Sequence, residues 1–179
     1  MSDHKSQQIS IVPKGYTAVT PWIISPSSAD LIQFLSAAFG AEEVPNSRIT
    51  NEDGIIIHVV VKIGDALVLL FDARKDWPST PAYLNLYVAD VETAYQRALQ
   101  LGARSVTDIT TLWFGEKVCR IIDPFGNLWW INERVEEIDF TIPEEVGQRA
   151  STPEAVAGIT YIQRSLDEAM KIQKEFFQR

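Results

Sequence analysis

The chain has 179 residues, 46% hydrophobic and 22% charged, which is the balance of an ordinary globular protein with one compact core or two small units sharing one. Its formal net charge of −8 works against nucleic acid, whose phosphates need clustered Lys and Arg, and against an acidic membrane surface. The single cysteine, Cys119, excludes an intrachain disulfide and fits a reducing, cytoplasmic setting; residues 1–10 are polar, unlike a secretory leader, and no apolar run has the length of a membrane span.

Residues 1–16 read as a flexible N-terminal arm. From 17 to 135 one pattern is used twice: strand, helix, then three strands over 17–74, and again over 81–134. In the first module a strand around Val19–Ile24 leads into a helix that starts at Ser27, with Asp30 three residues later as a capping-box-like pair. Its apolar face is Leu31, Ile32, Phe34, Leu35, Ala38 and Phe39, and Gly40 closes it. A turn at Asn51-Glu52-Asp53-Gly54 precedes a strand over Ile55–Lys62, and Gly64-Asp65 forms a tight hairpin into Ala66–Phe71. Asp72–Pro81, with Trp77 and Pro78, reads as the linker between modules.

The second module opens with the strand Leu84–Val88 and a helix N-capped by Asp90, burying Val91, Ala94, Tyr95, Ala98 and Leu99 and closed by Gly102. Strands follow at Ser105–Trp113, Lys117–Ile122 and Leu128–Glu133, the last two joined by Asp123-Pro124-Phe125-Gly126-Asn127. Residues 136–179 read as a C-terminal extension: an irregular acidic stretch over Ile138–Ala150, then a helix started by Thr152-Pro153. Its stripe of Val156, Ile159, Ile162, Leu166, Ala169 and Met170, with Phe176 and Phe177 near its end, must dock on its own sheet or on a partner subunit.

Strand alternation sorts the side chains. Leu84, Leu86 and Val88 suit packing under the second helix, which leaves Tyr83, Asn85 and Tyr87 on the other face. The Gly64-Asp65 loop puts Ile63 opposite Ala66, so Val60 faces Leu69 and His58 shares a face with Phe71. A three-residue hairpin with a Gly bulge pairs Asp123 with Asn127 and sets Arg120 opposite Trp130. The resulting wall of one cleft is Thr20, Trp22, His58, Leu69, Phe71, Tyr83, Asn85, Tyr87, Arg120, Trp130 and Asn132. Glu133 falls on the opposite face.

The runs Ser28-Ala29-Asp30 through Phe34 to Ala38-Phe39-Gly40-Ala41-Glu42, Val88-Ala89-Asp90-Val91, and Ile122-Asp123-Pro124-Phe125-Gly126-Asn127-Leu128-Trp129 resemble the glyoxalase/bleomycin-resistance/extradiol-dioxygenase superfamily, the vicinal oxygen chelate fold. Trp113-Phe114-Gly115-Glu116 and Pro143-Glu144-Glu145 look most like its PhnB-like branch, and the resemblance covers residues 17–149. It implies an α+β fold of paired βαβββ modules forming a curved mixed sheet around a cleft, helices on its outer face, and a homodimer. It also implies that the metal-ligand positions of metal-dependent members fall on Thr20, Leu69, Tyr83 and Trp130, none of them a His or Glu. Since a transition ion needs about three or four N, O or S donors, no metal and no cofactor are anticipated.

Each candidate has a bland counterpart. His58 is the candidate acid/base or ligand-orienting donor, against a histidine satisfied in a half-buried sheet. Arg120 could hold a ligand carboxylate, against an ion pair with Glu133 or Asp123. Trp22, Tyr83, Tyr87 and Trp130 could stack on a planar ligand, against core filling, with Phe71 in the same ligand-binding wall, and Asn85 and Asn132 could orient it. Cys119 reads as inert packing. Three functions remain open: metal-independent binding of a small, largely planar or apolar molecule; a lyase or isomerase using His58 or a cleft tyrosine; and a dimeric interaction protein whose cleft is filled.

Overall fold

Both helices of the repeat start and stop where their caps dictate. The Ser27 hydroxyl accepts from the Asp30 N–H and starts α1 (Ser28–Phe39); Gly40, at φ 68°, takes the left-handed turn that ends it. The Asp90 carboxylate accepts from the Thr93 N–H and starts α2 (Val91–Gln100). A computed structural model describes residues 9–78 and 80–177, with side chains described up to Lys171. The first eight residues of the anticipated arm, His4 among them, and the side chains of Phe176 and Phe177 lie outside the described residues.

The strands form two sheets. The first joins β1 (Trp22–Ser25), β5 (Ala66–Asp72), β4 (Ile56–Ile63) and β2 (Glu42–Glu43) in that order, with the short β3 (Ile49–Thr50) also on β4. The second joins β6 (Tyr83–Tyr87), β9 (Leu128–Arg134), β8 (Glu116–Ile122) and β7 (Arg104–Leu112). In each module the first strand runs parallel to the last and the remaining pairs are antiparallel; the repeat differs in that two short strands, β2 and β3, stand on β4 where β7 alone stands on β8. The α+β architecture of two βαβββ modules with a C-terminal helix is the one the sequence implies.

The helices are placed differently from that reading. The main core draws together Leu31, Leu35 and Phe34 of α1, Val91, Ala94 and Ala98 of α2, Val59, Val61 and Leu70 of the first sheet, and Ile121, Trp129 and Ile131 of the second. Helix α1 packs on α2, and the Phe39 ring sits 5.1 Å from the Trp129 ring. The helices therefore lie between two sheets, not outside one curved sheet. Alternation then turns the other face of each sheet outward, away from its counterpart.

A carboxylate locks each helix to the end of its own module. Asp72, closing β5, accepts from the Ser28 N–H at 2.6 Å and the Ile56 N–H at 2.8 Å. Glu133, near the end of β9, accepts from the Val91 N–H at 2.9 Å. Both acids meet the positive end of a helix, which favours the charge. Asp123 organises the β8–β9 turn: its carboxylate accepts from the Phe125 and Asn127 backbone N–H groups, the Asn127 amide and the Trp129 indole, each at 2.9 Å.

The extension departs from the sequence reading in two ways. Residues Pro143–Ala150 form a helix, α3, where an irregular stretch was anticipated. Pro143 at its start, Glu144 and Glu145 in the first turn and Arg149 in the last make it self-sufficient; none of its residues is buried, so no apolar periodicity announced it. Helix α4 (Pro153–Phe177) docks on its own chain, along β7 and over the outward face of the second sheet. Its buried line is Ala155, Ile162, Ser165 and Ala169, while Val156 is 54% exposed and leaves the anticipated stripe. Small residues set this rotation: a Cβ on Gly158 would lie 3.2 Å from Leu112 Cδ2, so the helix rides close on the strand.

Candidate functional site

The hairpin registers place the candidate residues as the alternation demands, but in two groups on opposite sides of the chain. Val60 pairs with Leu69, Arg120 with Trp130, and the Asp123 N–H bonds the Asn127 carbonyl at 2.9 Å. The single cleft wall anticipated from the sequence is not formed within one chain. Trp22, His58, Leu69 and Phe71 share the outward face of the first sheet. Tyr83, Asn85, Tyr87, Arg120, Trp130 and Asn132 share that of the second. The reason is the helix sandwich: alternation fixes which side chains share a face, not which way that face turns.

On the first face, β1 lies beside β5, so Trp22 stands next to Leu69 and its ring meets Phe71 edge-on at 5.3 Å and His58 at 5.5 Å. Phe71 in turn meets Trp77 edge-on at 5.8 Å, and the Arg74 guanidinium sits 5.5 Å over the Trp77 ring. Such contacts are the favoured aromatic geometries. Beside them opens a pocket of about 810 Å³, walled by Trp22, Ile55, Ile57, Phe71 and Trp77, with Asp53, Asp72 and Asp76 and the cations Arg74 and Lys75 at its margin. His58 is half-buried beside Trp22 and opposite Ile49 of β3; among the described residues no carboxylate hydrogen-bonds it. Sequence reasoning missed Trp77 and its neighbours because they lie in the linker, where there is no periodicity to read. The only signal was an aromatic among Pro78 and Pro81.

On the second face one row crosses the sheet: Thr107 of β7, Arg120 of β8, Trp130 of β9 and Asn85 of β6 are ladder partners in turn. Arg120 is 3% exposed, its guanidinium carbon 3.7 Å from the centre of the Trp130 ring. It donates to the Ile162 carbonyl of α4, not to Glu133 or Asp123, so the ion-pair alternative is not the arrangement formed. Burial pushes its pKa below the ordinary arginine value. Asn132, also buried, donates to Asn85 Oδ1 at 2.8 Å, while Asn85, Tyr83 and Tyr87 are exposed. The Tyr83 hydroxyl reaches Met170 Sδ at 3.6 Å and the Tyr87 hydroxyl reaches Glu116 at 3.3 Å.

The residues at the family's metal positions do not fit a metal ion. Leu69 and Trp130 offer no ligand atom of use, Thr20 precedes β1, and Tyr83 and Trp130 lie on the face turned away from Leu69. Among the described residues no three His, Cys, Asp or Glu side chains gather as such a set requires. Cys119 faces the core, fully buried, with its thiol pushed up to about 12 by burial. Glu133 faces α2, as anticipated.

Comparison with known proteins gives the same family as the motifs. Residues 17–131 match the model of the Glyoxalase/Bleomycin resistance protein/Dioxygenase superfamily, and the chain belongs to it. The uncharacterized protein Rv0887c of Mycobacterium tuberculosis is 29% identical over 147 residues, 76% of this chain and 85% of that protein. Mb0911c of Mycobacterium bovis, also uncharacterized, is 31% identical over 133 residues, 68% and 86% of the two chains. Among solved structures, TioX from Micromonospora sp. ML1 superposes with a TM-score of 0.55 at 18% identity, over 66% of this chain and 99% of its own. The PhnB protein from Bacillus cereus gives a TM-score of 0.50 at 17% identity, over 65% and 99%. The fosfomycin resistance protein FosX from Listeria monocytogenes gives 0.55 at 12%, over 66% and 94%. At these identities the structures speak for the fold.

Proposed function

We propose that this superfamily member is a metal-independent binding protein for a small, largely planar or apolar molecule. The observation that carries the reading is the pocket of about 810 Å³ beside Trp22, Phe71 and Trp77, a volume that suits a drug-sized ligand. Edge-on aromatic pairs supply faces for stacking, and His58 lies behind the wall, against the Trp22 ring. No cofactor takes part, because the side chains at the metal positions lack the donors. The chain acts as a homodimer: Trp22, Tyr83 and Tyr87 are 48%, 62% and 57% exposed, large aromatic side chains that a second copy would cover. We assign it to the PhnB-like branch and to the cytoplasm, the latter because its one cysteine is a buried free thiol. No described helix is long and apolar enough to cross a membrane.

The test uses 1-naphthamide, a neutral planar probe, and calorimetry. The full chain binds it, and Trp22→Ala and Phe71→Ala each weaken binding about three- to tenfold through lost stacking. Absence of binding at millimolar concentration, or binding indifferent to both substitutions, would overturn the reading. Elemental analysis finding one zinc, nickel, manganese or iron per chain would remove the metal independence. A second reading, an interaction protein with a filled cleft, is favoured by one observation: α4 covers the outward face of the second sheet. A lyase or isomerase reading, with His58 or a tyrosine as acid/base, lacks a carboxylate bonded to His58 among the described residues.

A further inference from the structure

Among the described residues, the charge at the centre of the second face has no counter-charge. Arg120 is buried, and among the described residues no carboxylate forms an ion pair with it. Its Nε and the Trp130 Nε1 are both buried without a hydrogen-bond partner. These two orphan donors belong to groups in direct stacking contact, 3.7 Å apart from guanidinium carbon to ring centre. Leaving a buried donor unpaired costs about 1–3 kcal/mol, and more for a charged group. A neutral carbonyl, that of Ile162, is the one acceptor supplied. The row that holds the pair continues through Asn85, which is exposed on the edge strand.

Helix α4 lies outside residues 17–131 that define the family unit, and it is tied back through α3, which buries none of its own residues. Its polar hold on the sheet near Arg120 consists of the Ile162 carbonyl, the Thr107–Ser165 hydroxyl pair at 2.6 Å and the Tyr161 hydroxyl accepting from the Asp108 N–H at 3.0 Å.

We propose that the stacked Arg120–Trp130 pair is a binding site for a small planar organic anion, an aromatic carboxylate in class, and that α4 occupies this site until the anion displaces it. A carboxylate supplies the acceptor oxygens that Nε and Nε1 lack and the negative charge that the buried guanidinium lacks, and its ring takes the apolar ground of Ile162. The inference rests on the small-molecule reading above and names a second, anionic subsite for it.

The experiment compares 1-naphthoate with its neutral isostere 1-naphthamide on the full chain. It also uses a double variant, Thr107→Cys with Ser165→Cys, whose oxidation ties α4 to β7. Naphthoate binds the reduced double variant and the unmodified chain roughly ten- to a hundredfold tighter than naphthamide, the ratio a charge-assisted bond provides. Oxidation removes that preference, and amide exchange across residues 155–169 rises when naphthoate binds the unmodified chain. If the disulfide does not form, the exchange measurement alone decides. Equal affinity for acid and amide, a preference that survives the oxidised lock, or exchange that falls on binding would each overturn the proposal. Naphthamide binding lost in Trp22→Ala while naphthoate shows no preference would sink this inference and leave the aromatic pocket standing; loss of both ligands' binding to every form would sink both.

Discussion

Replacing Asp123 by Asn tests how the β8–β9 turn is held. The carboxylate accepts four hydrogen bonds at 2.9 Å, two of its donors being the side chains of Trp129 and Asn127, and Asp123 is 3% exposed. An amide keeps the shape but offers one oxygen. Oδ1 takes the two backbone donors, and Oδ2 takes the indole and the Asn127 amide, so either orientation sets an NH₂ against two N–H groups. Asn127 cannot turn its own amide to help, since its Oδ1 accepts from the Ala82 N–H at 3.0 Å. Two buried donors lose their acceptor and meet a donor instead, at about 1–3 kcal/mol each, for a total near 3 kcal/mol. Asp123→Ala leaves all four unpaired and costs about 4 kcal/mol after water enters at the half-buried Phe125 side. Urea unfolding followed by far-UV circular dichroism measures both. Burial holds the Asp123 carboxyl above its ordinary value, against the pull of its donors. The native state therefore keeps its proton longer than the unfolded chain. Stability from this group declines as pH rises from the unfolded value of about 3.9 toward the higher folded one. The wild-type minus Asp123→Asn difference shows that slope. A cost for Asp123→Asn below about 1 kcal/mol would refute the account of the turn.

Gly115 sits at φ 81°, and a Cβ there would lie 2.5 Å from the Glu136 carbonyl oxygen, so Gly115→Ala destabilises by about 3 kcal/mol. Gly54→Ala, at φ 80° with open space around it, costs only about 1 kcal/mol in the same denaturation assay. Asp72→Ala, which frees two backbone donors, costs about 2–3 kcal/mol by thermal or urea melting. Glu133→Ala, which frees one, costs about 1–2 kcal/mol; the reverse order would show that the two carboxylates differ in some other contact. Cys119, with its thiol at about 12 and no exposure, reacts with a disulfide reagent at mildly alkaline pH only as fast as the chain unfolds. Rapid labelling of the native protein would contradict its placement.

Local chemistry was readable and relative placement was not. The caps at Ser27 and Asp90, the Gly64-Asp65 turn and the Asp123–Asn127 bulge are short-range devices, and each set its register correctly, down to Val60 opposite Leu69 and Arg120 opposite Trp130. The same alternation could not say that α1 would pack on α2, because an amphipathic helix shows which side is buried but not against what. Helix α3 showed no apolar periodicity, since it buries nothing, and its signal was confined to Pro143 with Glu144 and Glu145 at the start and Arg149 at the end. The face of α4 was misjudged at Val156 because its contact is built on Ala155, Gly158, Ser165 and Ala169, small residues that carry little hydrophobic signal yet permit close approach. Trp77 was legible as a residue but not as a pocket wall, its position being fixed by contact with Phe71.

The twin carboxylate latches bear on how the chain acquires its shape. Ser28 and Asp72 close a span of 44 residues, Val91 and Glu133 one of 42, and each span stays inside its own module. Modules meet through apolar side chains such as Phe39 and Trp129, which do not require a fixed partner geometry before either half is formed. Each half thus carries the polar fastening for its own loop closure, and the cost of closing one loop does not depend on the other. Native-state hydrogen exchange should then resolve two cooperative openings, one per module, with Asp72→Ala lowering the first and Glu133→Ala the second. Such independence lets two units of like topology carry different surfaces, an aromatic pocket on one and a helix-covered face on the other.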